Sequence, residues 1–221
     1  MAGGLRLTST PAPPPTPPCS RRQAAAWPAG RLWLALCGAL AASALLAWWA
    51  PTTLLDWQPG RVWQEPWRWW TAAGVHWSER HLAGNLAAVA LVAAYGWAAR
   101  APAPVTWAWF AAWPLTHLGL LLQPALAHYG GLSGVLHAGV AAVSLWLAWT
   151  GRGRRRVVGL LMLAGLAAKL LLEVPWGDPL RHSPGWDIAL APLGHATGSI
   201  AGLLCAAVAA GWERQPVDRP G

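Results

Sequence analysis

Apolar residues dominate six stretches of the chain, roughly Leu32 to Ala50, His81 to Ala99, Val105 to Leu122, Leu132 to Thr150, Val157 to Val174 and Ile188 to Trp212. Arg and Pro cluster in the segments between them. Each stretch is near the length of about 20 residues that a helix needs to cross the hydrocarbon core of a bilayer. The pattern predicts an all-α membrane protein built as a bundle of six transmembrane helices over residues 31–212, with both termini on one side. Residues 1–30, which include Pro11, Pro13, Pro14, Pro15, Pro17 and Pro18, are too polar and proline-rich to bury a core and predict a disordered tail. Residues 213–221 form a second, short tail. The first apolar run is too long for the core of a cleaved signal and leads into Trp48-Trp49-Ala50-Pro51 rather than a small-residue cleavage site, so it reads as a retained helix. The connection Thr52 to Thr71 carries Trp57, Trp63, Trp67, Trp69 and Trp70, an aromatic density expected of a segment resting at the outer membrane interface.

Composition strengthens this picture. The chain is 55% hydrophobic and 11% charged, too apolar for a soluble domain of 221 residues. Its 16 basic against 8 acidic residues do not indicate a nucleic-acid partner, because the arginines sit between apolar runs rather than along a soluble face. Arg21, Arg22 and Arg31 precede the first run, Arg100 follows the second, Arg152, Arg154, Arg155 and Arg156 follow the fourth, and Arg214 and Arg219 follow the sixth. The opposite side carries Arg61, Arg68, Arg80 and Arg181 against Asp56, Glu65, Glu79, Glu173, Asp178 and Asp187. By the positive-inside rule this predicts an N-in, C-in protein with cytoplasmic termini. Cys19, Cys37 and Cys205 form no CxxC pair, and neither a disulfide, a metal site nor a cofactor is expected. No internal repeat is evident, and the cytoplasmic halves of the helices carry almost no polar residues, which weakens a transporter or channel reading.

Polar side chains within membrane helices are costly and are functional candidates for that reason. The second run carries His81 and Asn85, preceded by His76; the third, His117; the fourth, Ser133 and His137; the fifth, Lys169 and Glu173; the sixth, His195, Thr197 and Ser199. In the predicted topology the second, fourth and sixth helices all run inward, so His81, Ser133 and His195 share the outer half of the membrane. His195 is expected about seven residues, or about 10 Å, into its helix. A serine hydroxyl becomes a nucleophile when a base takes its proton, and imidazole titrates near neutrality. Ser133 with His195 therefore makes a nucleophile and base, and no aspartate is expected at a depth that would complete a triad. The Asn85 amide, His81 on the same helix face, and the backbone N–H groups around Leu132 and Ser133 are candidate oxyanion donors. Gly131, Gly134, Gly198 and Gly202 are small residues suited to close packing of the fourth helix on the sixth. His137, one turn beyond Ser133, is a rival base, disfavoured because side chains of one helix stack rather than face each other. Lys169 and Glu173 are expected to form an ion pair, with substrate-terminus binding a lesser alternative. His117 and His128 are expected at the interface or in loops.

Trp67-Arg68, His76-x4-His81-x3-Asn85, Gly131-Leu132-Ser133-Gly134 and His195-x2-Gly198-x3-Gly202, in that order over about Trp67 to Gly211, resemble the rhomboid intramembrane serine proteases. The resemblance implies a rhomboid-like six-helix bundle with Ser133 as nucleophile, His195 as base and acid, and His81 and Asn85 supporting the oxyanion. Ala72 stands where many rhomboids carry a further histidine. His137 stands where a tyrosine is usual, and Gly131-Leu132-Ser133-Gly134-Val135-Leu136-His137 with Lys169 and Glu173 is similar to the rhombosortase branch. That likeness implies membrane-anchored protein substrates bearing a C-terminal Gly-Gly motif, an apolar helix and a basic end, and a place in a bacterial inner membrane. A catalytically inactive escort protein of the same fold is the alternative. The oligomeric state is left open.

Overall fold

The computed structural model describes residues 29–213; the proline-rich tail, Cys19 and the C-terminal tail lie outside the described residues. Eight α-helices follow in order: α1 Arg31–Ala47, α2 Thr52–Leu55, α3 Arg68–Thr71, α4 Glu79–Ala99, α5 Ala103–Leu118, α6 Ser133–Thr150, α7 Arg154–Glu173 and α8 Pro192–Glu213. Single 3-10 turns at Ala72–Gly74 and Gly119–Leu122 extend α3 and α5. Among the described residues there is no strand, only isolated bridges joining Trp57 to Tyr129 and Arg181 to Leu190.

Among the described residues, four segments are long and apolar enough to cross a membrane: Glu79–Ala99, Ala103–Leu122, Ser133–Thr150 and Pro192–Gly211. The chain is thus a helical membrane protein. Of the six expected spans, α1 is apolar but stops at 17 residues, and α7 opens with three arginines and carries Lys169 and Glu173. Helix starts follow local chemistry. Ser78 caps α4 by accepting the His81 backbone N–H at 3.0 Å, with Glu79 placed favourably in the first turn. Pro192 opens α8, where its missing N–H costs nothing. That start, later than the apolar run at Ile188, sets His195 only about 4.5 Å into its helix rather than 10 Å.

Helix α6 lies at the centre, packed by α4, α5, α7 and α8. Its approach to α8 is backbone on backbone. A Cβ on Gly198 would overlap the Gly134 carbonyl, and one on Gly202 would overlap the Ala138 carbonyl. Trp109 of α5 donates its indole N–H to the Val135 carbonyl at 2.7 Å and packs against Trp33 of α1 in a tilted contact with ring centres 4.3 Å apart. Thr197 of α8 donates to the Thr116 carbonyl at 2.9 Å. Helix α7 is peripheral by contrast; its one buried residue, Gly159, lies against the backbone of Ser144 and Ala148.

The Thr52 to Thr71 connection is a folded unit built around Arg68. Arg68, 1% exposed, donates to the Asp56 carboxylate and carbonyl, the Thr53 carbonyl and the Glu65 carboxylate. Such a buried cation is tolerable only because its donors are met by carboxylates and carbonyls. Trp57 is buried and Trp69 half-buried, while Trp63 and Trp67 are exposed. His117, in the last turn of α5 rather than in a loop, is fully buried, its Nδ1 donating to the Trp69 carbonyl at 2.6 Å. His128 is exposed and reaches Asp56 at 2.6 Å.

Candidate active site

Helices α4, α6 and α8 point their N-terminal ends to one place. His81 is in the first turn of α4, Ser133 is the first residue of α6, and His195 is in the first turn of α8. Unpaired N–H groups and the positive ends of three macrodipoles therefore converge where negative charge would develop on an attacked carbonyl.

Nε2 of His195 lies 3.0 Å from the Ser133 hydroxyl, and the imidazole is 7% exposed. The other nitrogen, Nδ1, faces the Glu173 carboxylate at 2.7 Å. A carboxylate accepts only, so Nδ1 carries the proton and Nε2 is left as the acceptor of the serine O–H. The expected dyad thus has a third member, on α7. Glu173 also takes the ion pair expected with Lys169: one oxygen faces the ammonium and the other the imidazole. Lys169 Nζ stands 3.4 Å from Nδ1, and, being only a donor, it directs its protons to Glu173. Reading Lys169 and Glu173 as a closed pair hid this role; the signal was the shared depth of Glu173 and His195 at the outer ends of the fifth and sixth runs.

His137 stacks on His195 with ring centres 4.3 Å apart and an interplanar angle of 13°. Its Nδ1 donates to the Ser133 carbonyl at 2.6 Å, so it braces the serine backbone and the imidazole face, and does not face the serine hydroxyl as the rival base would. His137→Tyr keeps an aromatic platform there. It is expected to retain cleavage within about tenfold of wild type, whereas a base replaced would cost far more. Comparing kcat/KM of His137→Tyr and His195→Ala on one substrate checks this, and a dead His137→Tyr beside an active His195→Ala would reverse the assignment.

Gly131 departs from the packing role expected of it. It sits before the helix with φ +121°, and a Cβ there would lie 2.7 Å from Nε2 of His81 and 3.6 Å from the Asn85 amide nitrogen. Glycine is required both for the backbone angle and for this approach. One Asn85 N–H is spent on the His81 carbonyl at 3.2 Å, leaving the second as the oxyanion candidate. Leu132, fully buried, caps α6 and fixes the Ser133 backbone.

Above Ser133 is a cavity of about 30 Å³, bounded by Trp77, His81, Tyr129 and His195 and roofed by Leu180 and Ile188 to Ala191 of the α7–α8 connection. This holds about one or two waters. Tyr129, which the sequence did not single out, lies against Gly134 and Gly194, and burial pushes its phenol up to about 12, so it stays neutral. His76, buried beside His81 with ring centres 4.7 Å apart, is held below the usual imidazole range by burial.

Glu173→Gln keeps the shape but loses the charge and the pure acceptor that fixes the His195 tautomer. It is expected to lower kcat by roughly 10²- to 10⁴-fold with KM little changed, the upper bound being the loss seen when a fully buried triad acid is neutralised. A variant within a factor of about three of wild type would reduce Glu173 to a structural ion pair.

No protein-family model matches the chain, and comparison with curated proteins finds no match.

Proposed function

We propose that this protein is a rhomboid-type intramembrane serine protease of the rhombosortase branch, spanning a bacterial inner membrane six times with both termini in the cytoplasm. The observation that carries the reading is the Ser133–His195–Glu173 chain, 3.0 Å and 2.7 Å at its two links, at the converging ends of α4, α6 and α8. Ser133 attacks a substrate carbonyl as its proton passes to Nε2 of His195, and the oxyanion forms among the Leu132 and Ser133 N–H groups, Asn85 and His81. The tetrahedral intermediate collapses, the C–N bond breaks, and His195 returns the proton to the leaving amine. The acyl-enzyme is released by water or by an amine acceptor.

One feature favours a membrane-anchored substrate. An apolar groove of about 340 Å³ opens between α4 and α7, lined by Leu91, Val92, Leu161 and Leu166 and ending at His137 and Lys169 beside the site. It suits an apolar segment.

The test is a reporter bearing Gly-Gly, an apolar helix and a basic end, incubated with the purified protein, with the cut site read by mass spectrometry. Cleavage near Gly-Gly, lost when the pair becomes Leu-Leu, is expected. Absence of cleavage together with absence of fluorophosphonate labelling would favour the inactive escort reading instead.

A further inference from the structure

The end of the bundle opposite Ser133 holds a second cavity, of about 350 Å³, between the C-terminal end of α4, the last turns of α6 and the first turn of α7. Leu147 on its wall is about 21 Å along α6 from Ser133 at 1.5 Å per residue. Arg100, Arg154 and Arg155 line it, with Tyr95, Leu147 and Val158 among its other walls, and no carboxylate does. Arg155 is held in place: its Nη2 donates to the Ala99 carbonyl at 2.8 Å and its guanidinium stands 5.2 Å from the Trp146 ring centre. Arg100 and Arg154 form no salt bridge among the described residues. Arg100 caps α4 at φ 55°, a left-handed position where glycine or asparagine would close the helix at less cost. The backbone does not call for an arginine there.

Three like charges around one cavity repel each other unless an anion joins them, and guanidinium groups match phosphate oxygens in pairs. The cavity is larger than a phosphate needs, and its alanine, leucine and valine walls offer a bare anion nothing. We infer that it binds an anionic phospholipid of the leaflet at that end, the headgroup phosphate on Arg100, Arg154 and Arg155 and the start of the acyl chains on the apolar wall. A zwitterionic lipid would bring a quaternary ammonium against the same three charges. The assignment rests on the helices crossing a bilayer and is independent of cleavage.

The experiment is native mass spectrometry of the full chain in detergent, with phosphatidylglycerol or phosphatidylcholine added. Wild type is expected to retain phosphatidylglycerol in preference to phosphatidylcholine. Arg100→Gln combined with Arg154→Gln is expected to weaken phosphatidylglycerol binding roughly 10- to 30-fold, about fivefold per arginine, leaving phosphatidylcholine unchanged. Thermal unfolding without added lipid checks that the variant folds, and if it does not, the exposed single change Arg154→Gln is read with a loss of about fivefold expected. Equal retention of the two lipids by wild type, or undiminished phosphatidylglycerol binding by the folded variants, would overturn the site. Displacement of phosphatidylglycerol by excess inorganic phosphate alone would reassign it to a free anion.

Discussion

Ser133→Ala and His195→Ala are each expected to lower cleavage of a membrane-anchored reporter by roughly 10⁴- to 10⁶-fold while leaving the fold intact, because nucleophile and base act as one unit. Loss of the Ser133 hydroxyl removes the attacking atom. Loss of the His195 ring removes the acceptor 3.0 Å away and leaves an ordinary alcohol that is a poor nucleophile at neutral pH. The double variant should be no worse than either single one. Fluorophosphonate labelling gives a second readout that needs no substrate: wild type should be modified at Ser133, and both variants should stay unlabelled. Cleavage within tenfold of wild type in either variant would end the serine-protease reading.

The next largest effect is expected from Gly198→Val, a change that touches neither catalytic side chain. The Gly198 Cα faces the backbone of Gly134, one residue from Ser133, so any Cβ there meets carbonyl oxygen and carbon rather than a movable side chain. Valine cannot be accommodated by a rotamer change. Helices α6 and α8 must separate, and His195, one turn before Gly198, is carried away from Ser133. We expect loss of cleavage and labelling together, with thermal stability lowered by several degrees, as for other overpacked core sites. Gly198→Ala should fall between. If Gly198→Val stayed active and labelled at the wild-type rate, close packing at this point would be incidental to catalysis.

Much of the architecture was legible because membrane helices announce themselves by length and apolarity, and glycines and polar residues stand out against them. The Ser133 and His195 juxtaposition followed from shared depth, and the Gly198 contact from the small-residue spacing. What stayed hidden depended on side-chain partners across helices. Glu173 satisfied a local i, i+4 rule with Lys169, and that explanation concealed its second oxygen and its contact with His195. Gly131 was grouped with the packing glycines, although its backbone angle and the His81 ring beside it are properties of a loop. The internal fold of the first connection was not legible either, since no pattern reveals that Arg68 gathers Asp56 and Glu65 around itself. Helix boundaries moved for a similar reason: Pro192, not the onset of apolarity, begins α8.

On the proposed reading, nucleophile, orienting carboxylate and general base come from α6, α7 and α8 respectively, so the base is made two helices after the nucleophile. During synthesis Ser133 enters the bilayer well before His195 exists, and for that interval it is an unactivated alcohol among apolar neighbours. Activation comes only when α8 docks and its glycines close on α6. If the proposed function holds, the site stays harmless to nascent membrane chains around it until that docking, and topogenesis itself serves as the safety catch.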